Sequence, residues 1–171
     1  PDCLLLVEFA GDDPDELAAR LDALDAEMTR LGFPDAVVQA RDPALQTEIW
    51  EVRKAGLNIV MAMKGDGKPV SFVEDCAVPL PHLAEYTDGL NRIFEKYGTR
   101  GTWYAHASVG CLHVRPILNL KTETGARALR AIHEEALDLV KRHKGSHSGE
   151  HGDGLARSEH HARMYGRRLV G

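Results

Sequence analysis

The sequence predicts an α+β fold, an antiparallel sheet with helices packed on one face and built from ferredoxin-like units. Two observations lead there. Apolar runs of strand length alternate with long segments of helical periodicity in the order β-α-β, helix, hairpin, α-β-β-α. One pair of strands, on either side of Ser108–Gly110, is joined by a turn too tight for a parallel crossover.

In chain order, Leu4 to Phe9 reads as a largely buried strand. Asp13 is a plausible N-cap with Pro14 at the first helical position, and Leu17, Leu21, Leu24, Met28 and Leu31 repeat at helical spacing until Gly32. That stripe reads as core. Ala36 to Ala40 is a short strand candidate, and Pro43 to Ala55 a second helix carrying Trp50 and Arg53. Leu57 to Met63 and Val70 to Cys76 read as strands joined by a hairpin at Gly65-Asp66-Gly67. His82 to Tyr97 is an amphipathic helix with Leu83, Tyr86, Leu90, Ile93 and Phe94 on its apolar face. A hairpin follows, its second strand running to Leu120. A long helix then runs from Glu123 to about Lys144, burying Ala126, Leu129, Ile132, Ala136, Leu139 and Val140.

At 171 residues the chain suits one domain, and 43% hydrophobic with 27% charged residues is ordinary for a globular protein. A formal charge of −5 without any basic run argues against nucleic acid or an anionic membrane surface as partner. Three scattered cysteines, Cys3, Cys76 and Cys111, suit a reducing, cytoplasmic compartment; Cys111 reads as a buried structural thiol. The chain opens on Pro1 without an initiator methionine, and is expected to be an excised domain of a longer protein.

The chemistry concentrates between Tyr104 and Gly154. His106 and His113 would sit on opposite faces of one continuous strand, but folding at Gly110 lets their imidazoles face each other. After the long helix comes Gly145-Ser-His147-Ser-Gly-Glu150-His151-Gly-Asp153-Gly154, whose glycines permit sharp conformations close to a ligand. Two facing histidines and Glu150 make an N,N,O set of the kind catalytic zinc uses. The competing reading is ordinary hydrogen bonding, since the chain holds nine histidines. His133, His143, His147, His160 and His161 read as solvated or helix-end residues, with a reservation for His147 because it shares the loop. Arg53 and Arg115 are candidate carboxylate clamps, because a guanidinium offers a bidentate fork.

His106-x6-His113 followed by Gly149-Glu150-His151-Gly152-Asp153-Gly154 resembles the signature of the C-terminal domain of FAD-linked 2-hydroxy-acid oxidoreductases. That family includes D-lactate dehydrogenases, D-2-hydroxyglutarate dehydrogenases and the glycolate oxidase flavin subunit. Trp50-Glu-Val-Arg53 and Asp75-Cys-Ala-Val-Pro79 resemble its Trp-x-x-Arg and Asp-x-x-x-Pro elements. The resemblance implies a divalent metal, zinc the first choice, on His106, His113 and Glu150, and His151 as the base that takes the hydroxyl proton. It implies FAD held by another domain of the same parent chain, so that this domain alone is catalytically silent. The variant Ser-Val-Gly-Cys-Leu-His-Val-Arg-Pro is similar to large fused flavin and iron–sulfur enzymes, implying an iron–sulfur segment in the parent and a protein or quinone electron acceptor. Such an enzyme would be cytoplasmic, at or near the inner membrane face. Val73 and Leu57 stand where D-2-hydroxyglutarate dehydrogenases of the family carry a substrate-binding lysine and a threonine; Lys64 or Lys68 would have to substitute. Two rival classes compete with the enzyme: a metal-binding regulatory or sensor module of ferredoxin-like fold, and a structural interaction domain whose histidines are incidental.

Overall fold

The computed structural model describes residues 3–170. The chain divides into two compact units, residues 1–55 and 56–171, with the boundary inside a helix.

The first unit is helical. Helix α1 (Pro14–Arg30) starts as its residues dictate: the Asp13 carboxylate accepts from the Asp15 and Glu16 amides, and Pro14 follows. Its apolar stripe, expected as core, is only half-buried at Leu17, Leu21, Leu24 and Met28, and Leu31 just beyond the helix is 53% exposed. Helix α2 (Pro43–Met61) runs six residues past the expected end at Ala55, taking in most of the segment expected as a strand at Leu57 to Met63. A short continuous apolar run is compatible with either element, and here the preceding helix propagates through it. Two further expectations are corrected. Leu4 to Phe9 and Ala36 to Ala40 form no strand among the described residues, and Leu4 and Val38 are 87% and 88% exposed. A strand needs a paired neighbour, and these segments have none among the described residues.

The second unit is organised on one strand. Strands β1 (Lys68–Pro69), β2 (Cys76–Ala77) and β3 (Gly101–His106) all pair antiparallel with β4 (Cys111–Leu118). β1 and β2 replace the single strand expected from Val70 to Cys76, and the Gly65–Gly67 hairpin is therefore not formed. The interruption has a local cause: Asp75 takes a positive φ of 75°, which breaks the pleat just before β2. Helix α3 (Leu83–Lys96) connects β2 to β3, which flank β4 on opposite edges. After β4 comes α4 (Glu123–Arg142), and Ser146 then bridges antiparallel to Ala77 of β2. This is the split β-α-β arrangement of a ferredoxin-like unit. Four short helical turns follow: 158–160, α5 (Gly154–Arg157), α6 (His161–Tyr165) and α7 (Arg167–Val170).

The core lies on one face of β4. Leu112, Val114 and Leu118 pack with Tyr86, Leu90, Ile93 and Phe94 of α3 and with Ile132, Ala136, Leu139 and Val140 of α4. Each buried Leu, Ile, Val or Phe among them stabilises the fold by about 1.5–3 kcal/mol through removal of apolar surface from water. Both helices thus cover the same face, as expected. The alternation of β4 leaves His113 and Arg115 on the other.

Candidate functional site

The hairpin and the loop after α4 build the site together. In the β3–β4 register, His106 pairs with Cys111 and Tyr104 with His113, placing both histidines on the same face. Their ring centroids are 5.1 Å apart, so the imidazoles face each other across the hairpin. Gly110 makes the bend possible: its φ is +70°, and a Cβ there would lie 2.0 Å from the Val78 carbonyl oxygen.

The loop delivers Glu150 between the histidines. One carboxylate oxygen, Oε1, lies 2.9 Å from His113 Nε2, 3.5 Å from His106 Nε2 and 3.5 Å from His151 Nε2. The His151 ring stacks on that of His113, with centroids 5.0 Å apart. His113 is 8% exposed while His151 is half-exposed, so the cluster grades from the protein interior to its surface. Burial lowers the pKa of His113 against the raising effect of the Glu150 charge, leaving the ring neutral with a lone pair to offer.

Three residues that the sequence reading gave no role in the site hold it in place. The buried Asp75 carboxylate accepts from the Glu150 amide (2.9 Å), the His151 amide (2.9 Å) and the Ser148 hydroxyl (2.8 Å). Its own backbone oxygen accepts from Gly149 N at 2.7 Å, where a Cβ on Gly149 would come within 3.0 Å of Cys111 Sγ. Burial alone would raise the Asp75 pKa, but the donors from His151, Ser148 and Glu150 reverse that and hold it below the ordinary aspartate value. Arg157, nearly buried, donates to the Glu74 and Gly152 carbonyls and lies 3.4 Å from Asp75 Oδ2, tying α5 to the loop. Glu74 is third: Oε1 lies 3.4 Å from His151 Nδ1, while Oε2 accepts from Arg115 Nε. Burial pushes the Glu74 pKa up, and the bond and charge of Arg115, with His113 and His151, bring it below the usual value. The adjacent acidic pair Glu74–Asp75 was visible in sequence, but these partners lie 41 to 83 residues away.

His106, His113, Glu150, His151 and Arg115 are thus brought to one cluster. Arg53 belongs to the first unit, with its guanidinium 4.8 Å from the Trp50 ring centroid. Lys68 donates to the Met63 carbonyl. Cys111 is buried, its thiol pushed up to about 12 by burial and by neighbouring Asp75, which fits a structural thiol. The other histidines are not all solvated as expected: His133, His147 and His160 are buried, the first pushed down to about 4 by that burial.

Donor atoms of Asp75, Cys111, His113 and Glu150 lie within 4.8 Å of one another, as do those of Glu74, His113 and His151. The neutral buried imidazole and the carboxylate oxygen shared by three Nε2 atoms fit a divalent ion that favours nitrogen and oxygen. His113 Nδ1 is buried without a hydrogen-bond partner, so the ring's polar contacts all lie on its Nε2 side.

A ferredoxin-like unit that gathers histidines and a glutamate from a hairpin and a glycine-rich loop defines the class: an α+β domain. The chain belongs to the family described as FAD linked oxidases, C-terminal domain, which matches residues 1–171. It is 34% identical over 167 residues to a D-2-hydroxyglutarate dehydrogenase of Pseudomonas putida, covering 94% of this chain and 16% of that protein. It is 31% identical over 171 residues to the enzyme of that name from Escherichia coli, covering 97% and 17%. A mitochondrial D-lactate dehydrogenase [cytochrome] of Arabidopsis thaliana is 26% identical over 121 residues, covering 71% and 21%. The chain thus spans about a sixth of the length of the D-2-hydroxyglutarate dehydrogenases it matches. No helix among the described residues is long and apolar enough to cross a membrane.

Proposed function

We propose that this chain is the substrate-side domain of an FAD-dependent dehydrogenase that oxidises a D-2-hydroxy acid to the 2-oxo acid. D-2-hydroxyglutarate is the first substrate to try, because relatives matching nearly the whole chain carry that name; D-lactate and glycolate follow. One observation carries the reading: three imidazole Nε2 atoms converge on a single Glu150 oxygen. FAD would be held outside this chain and would supply the hydride acceptor.

Oxidation of a 2-hydroxy acid removes the α-hydrogen as hydride and the hydroxyl hydrogen as a proton, and the proton needs an acceptor. His151 is that acceptor, half-exposed where a substrate can arrive, and an imidazole is the commonest general base. Glu74 orients it. With Nδ1–H turned to Glu74 Oε1, the Nε2 lone pair is left for the substrate hydroxyl, and the Glu74 charge stabilises the imidazolium that results. Arg115 keeps Glu74 ionised. Its bond to Glu74 uses Nε, and a guanidinium carries five donors, so it is also the proposed clamp for the substrate carboxylate. His106, His113 and Glu150 would hold the divalent metal, zinc the first choice. When bound, that ion supplies Lewis acidity that lowers the pKa of the hydroxyl.

Anaerobic flavin bleaching by the full-length protein tests the reading, with each of the three hydroxy acids. One acid should bleach the flavin of the wild type and fail with His151→Gln, flavin content being equal. A protein without flavin, or bleaching indifferent to His151, would shift the reading to a metal-binding module of the same fold.

A further inference from the structure

A second cluster of metal-ligating groups brackets the Glu150–His151 loop. His147 lies in the bend after α4, Asp153 just before α5, and His161 at the start of α6; one donor atom from each lies within 4.8 Å of the others. Each histidine faces a different oxygen of the same carboxylate. His147 Nε2 is 2.8 Å from Asp153 Oδ1, and His161 Nε2 is 2.7 Å from Asp153 Oδ2.

The two contacts differ in kind. The His161 contact has hydrogen-bond geometry. The His147 contact does not: His147 Nε2, His147 Nδ1 and Asp153 Oδ1 are all buried without a hydrogen-bond partner. His147 is only 2% exposed, so solvent does not supply what is lacking. Buried polar atoms nearly always find partners, and an enclosed ring with neither nitrogen hydrogen-bonded, set 2.8 Å from a carboxylate oxygen, lacks one; an ion held by both atoms would supply it.

We propose that His147, Asp153 and His161 form a second divalent-cation site, of the zinc class and structural in role, separate from the His106–His113–Glu150 set. Two imidazoles and one carboxylate suit zinc better than magnesium or calcium, which prefer all-oxygen shells. Charge points the same way. Arg157 Nε lies 3.4 Å from Asp153 Oδ1, so a hard cation relying on that carboxylate would meet an opposing charge. Bonds from two neutral imidazoles are much less affected. The consequence for the first site follows from chain order: Glu150 and His151 lie between His147 and Asp153, so an ion here fastens both ends of the loop that carries them and secures α6 to it.

Zinc stoichiometry of the full-length protein tests this. The protein is stripped with chelator, loaded with excess zinc, desalted and assayed for bound metal and for far-UV circular dichroism. His161 is about one-third exposed, which favours folding of His161→Gln. That variant should hold one zinc fewer than wild type, and a His106→Ala/His113→Ala variant should retain the ion that His161→Gln loses. Cobalt(II) gives a second readout: in the His106→Ala/His113→Ala background a visible ligand-field band should appear, and adding Asp153→Asn should abolish it. Equal zinc in wild type and His161→Gln, or a band indifferent to Asp153→Asn, would overturn the proposal.

Discussion

The two faces of β4 are built from neighbouring residues and do opposite work. Leu112, Val114 and Leu118 face α3 and α4 and are nearly inaccessible. His113 and Arg115, one step along, face charged side chains: Glu150 on one, Glu74 on the other. The first set is interchangeable chemistry held by shape. The second is specific chemistry held by long-range hydrogen bonds. Stability and activity should therefore separate by residue parity along a single strand, and each expectation below presses on that separation.

The largest effect belongs to the polar face. His151→Gln should slow flavin reduction in the full-length protein by on the order of 10²–10⁴ while leaving the melting temperature within a few degrees, because the ring is half-exposed. Leu90→Ala is its counterpart. Leu90 is fully buried, and truncation should cost about 2–5 kcal/mol in a denaturant titration, with the rate per folded molecule retained. Asp75→Asn falls between the two faces. It keeps the shape but removes the charge that the Glu150 and His151 amides bind, so it should cost about 1–3 kcal/mol and also lower the rate. An unchanged rate there would show that the loop needs no such anchor.

The smallest effect is a pH dependence. His133 is buried and its pKa pushed down from 6.5 to about 4, so the unfolded chain binds the proton more readily. The stability linked to it is fully present above pH 6.5 and lost as pH falls toward 4. The loss should be on the order of 1–2 kcal/mol after allowance for screening, and His133→Leu should flatten it in melts run across that window.

The helical face was legible in sequence, because local periodicity specifies it: Tyr86, Leu90, Ile93 and Phe94 were assigned to the apolar face of their helix and are buried there. The hairpin was equally legible, from β-formers flanking Ser108–Gly110. The polar face was legible only in its own residues. His106, His113, Glu150 and His151 could be picked out, but Asp75, Arg157 and Glu74 could not be given roles, because the bonds that define them span 41 to 83 residues. No periodicity encodes such a bond. His147 reads in sequence as solvated or helix-end, with a reservation for its place in the loop, because the His161 and Tyr165 rings that pack against it belong to a short C-terminal helix of weak pattern. Leu57 to Met63 failed differently: an apolar run of that length is ambiguous, and the preceding helix resolved it.

The most direct measurement compares two adjacent residues. His113→Gln and Val114→Ala would be made in the full-length protein, and flavin reduction by the active hydroxy acid would be measured beside the melting temperature. His113→Gln should lose most of its reduction rate while still melting cooperatively, and Val114→Ala should melt earlier while reducing its flavin at nearly the wild-type rate. Retained activity in His113→Gln, with flavin bound and the fold intact, would contradict it.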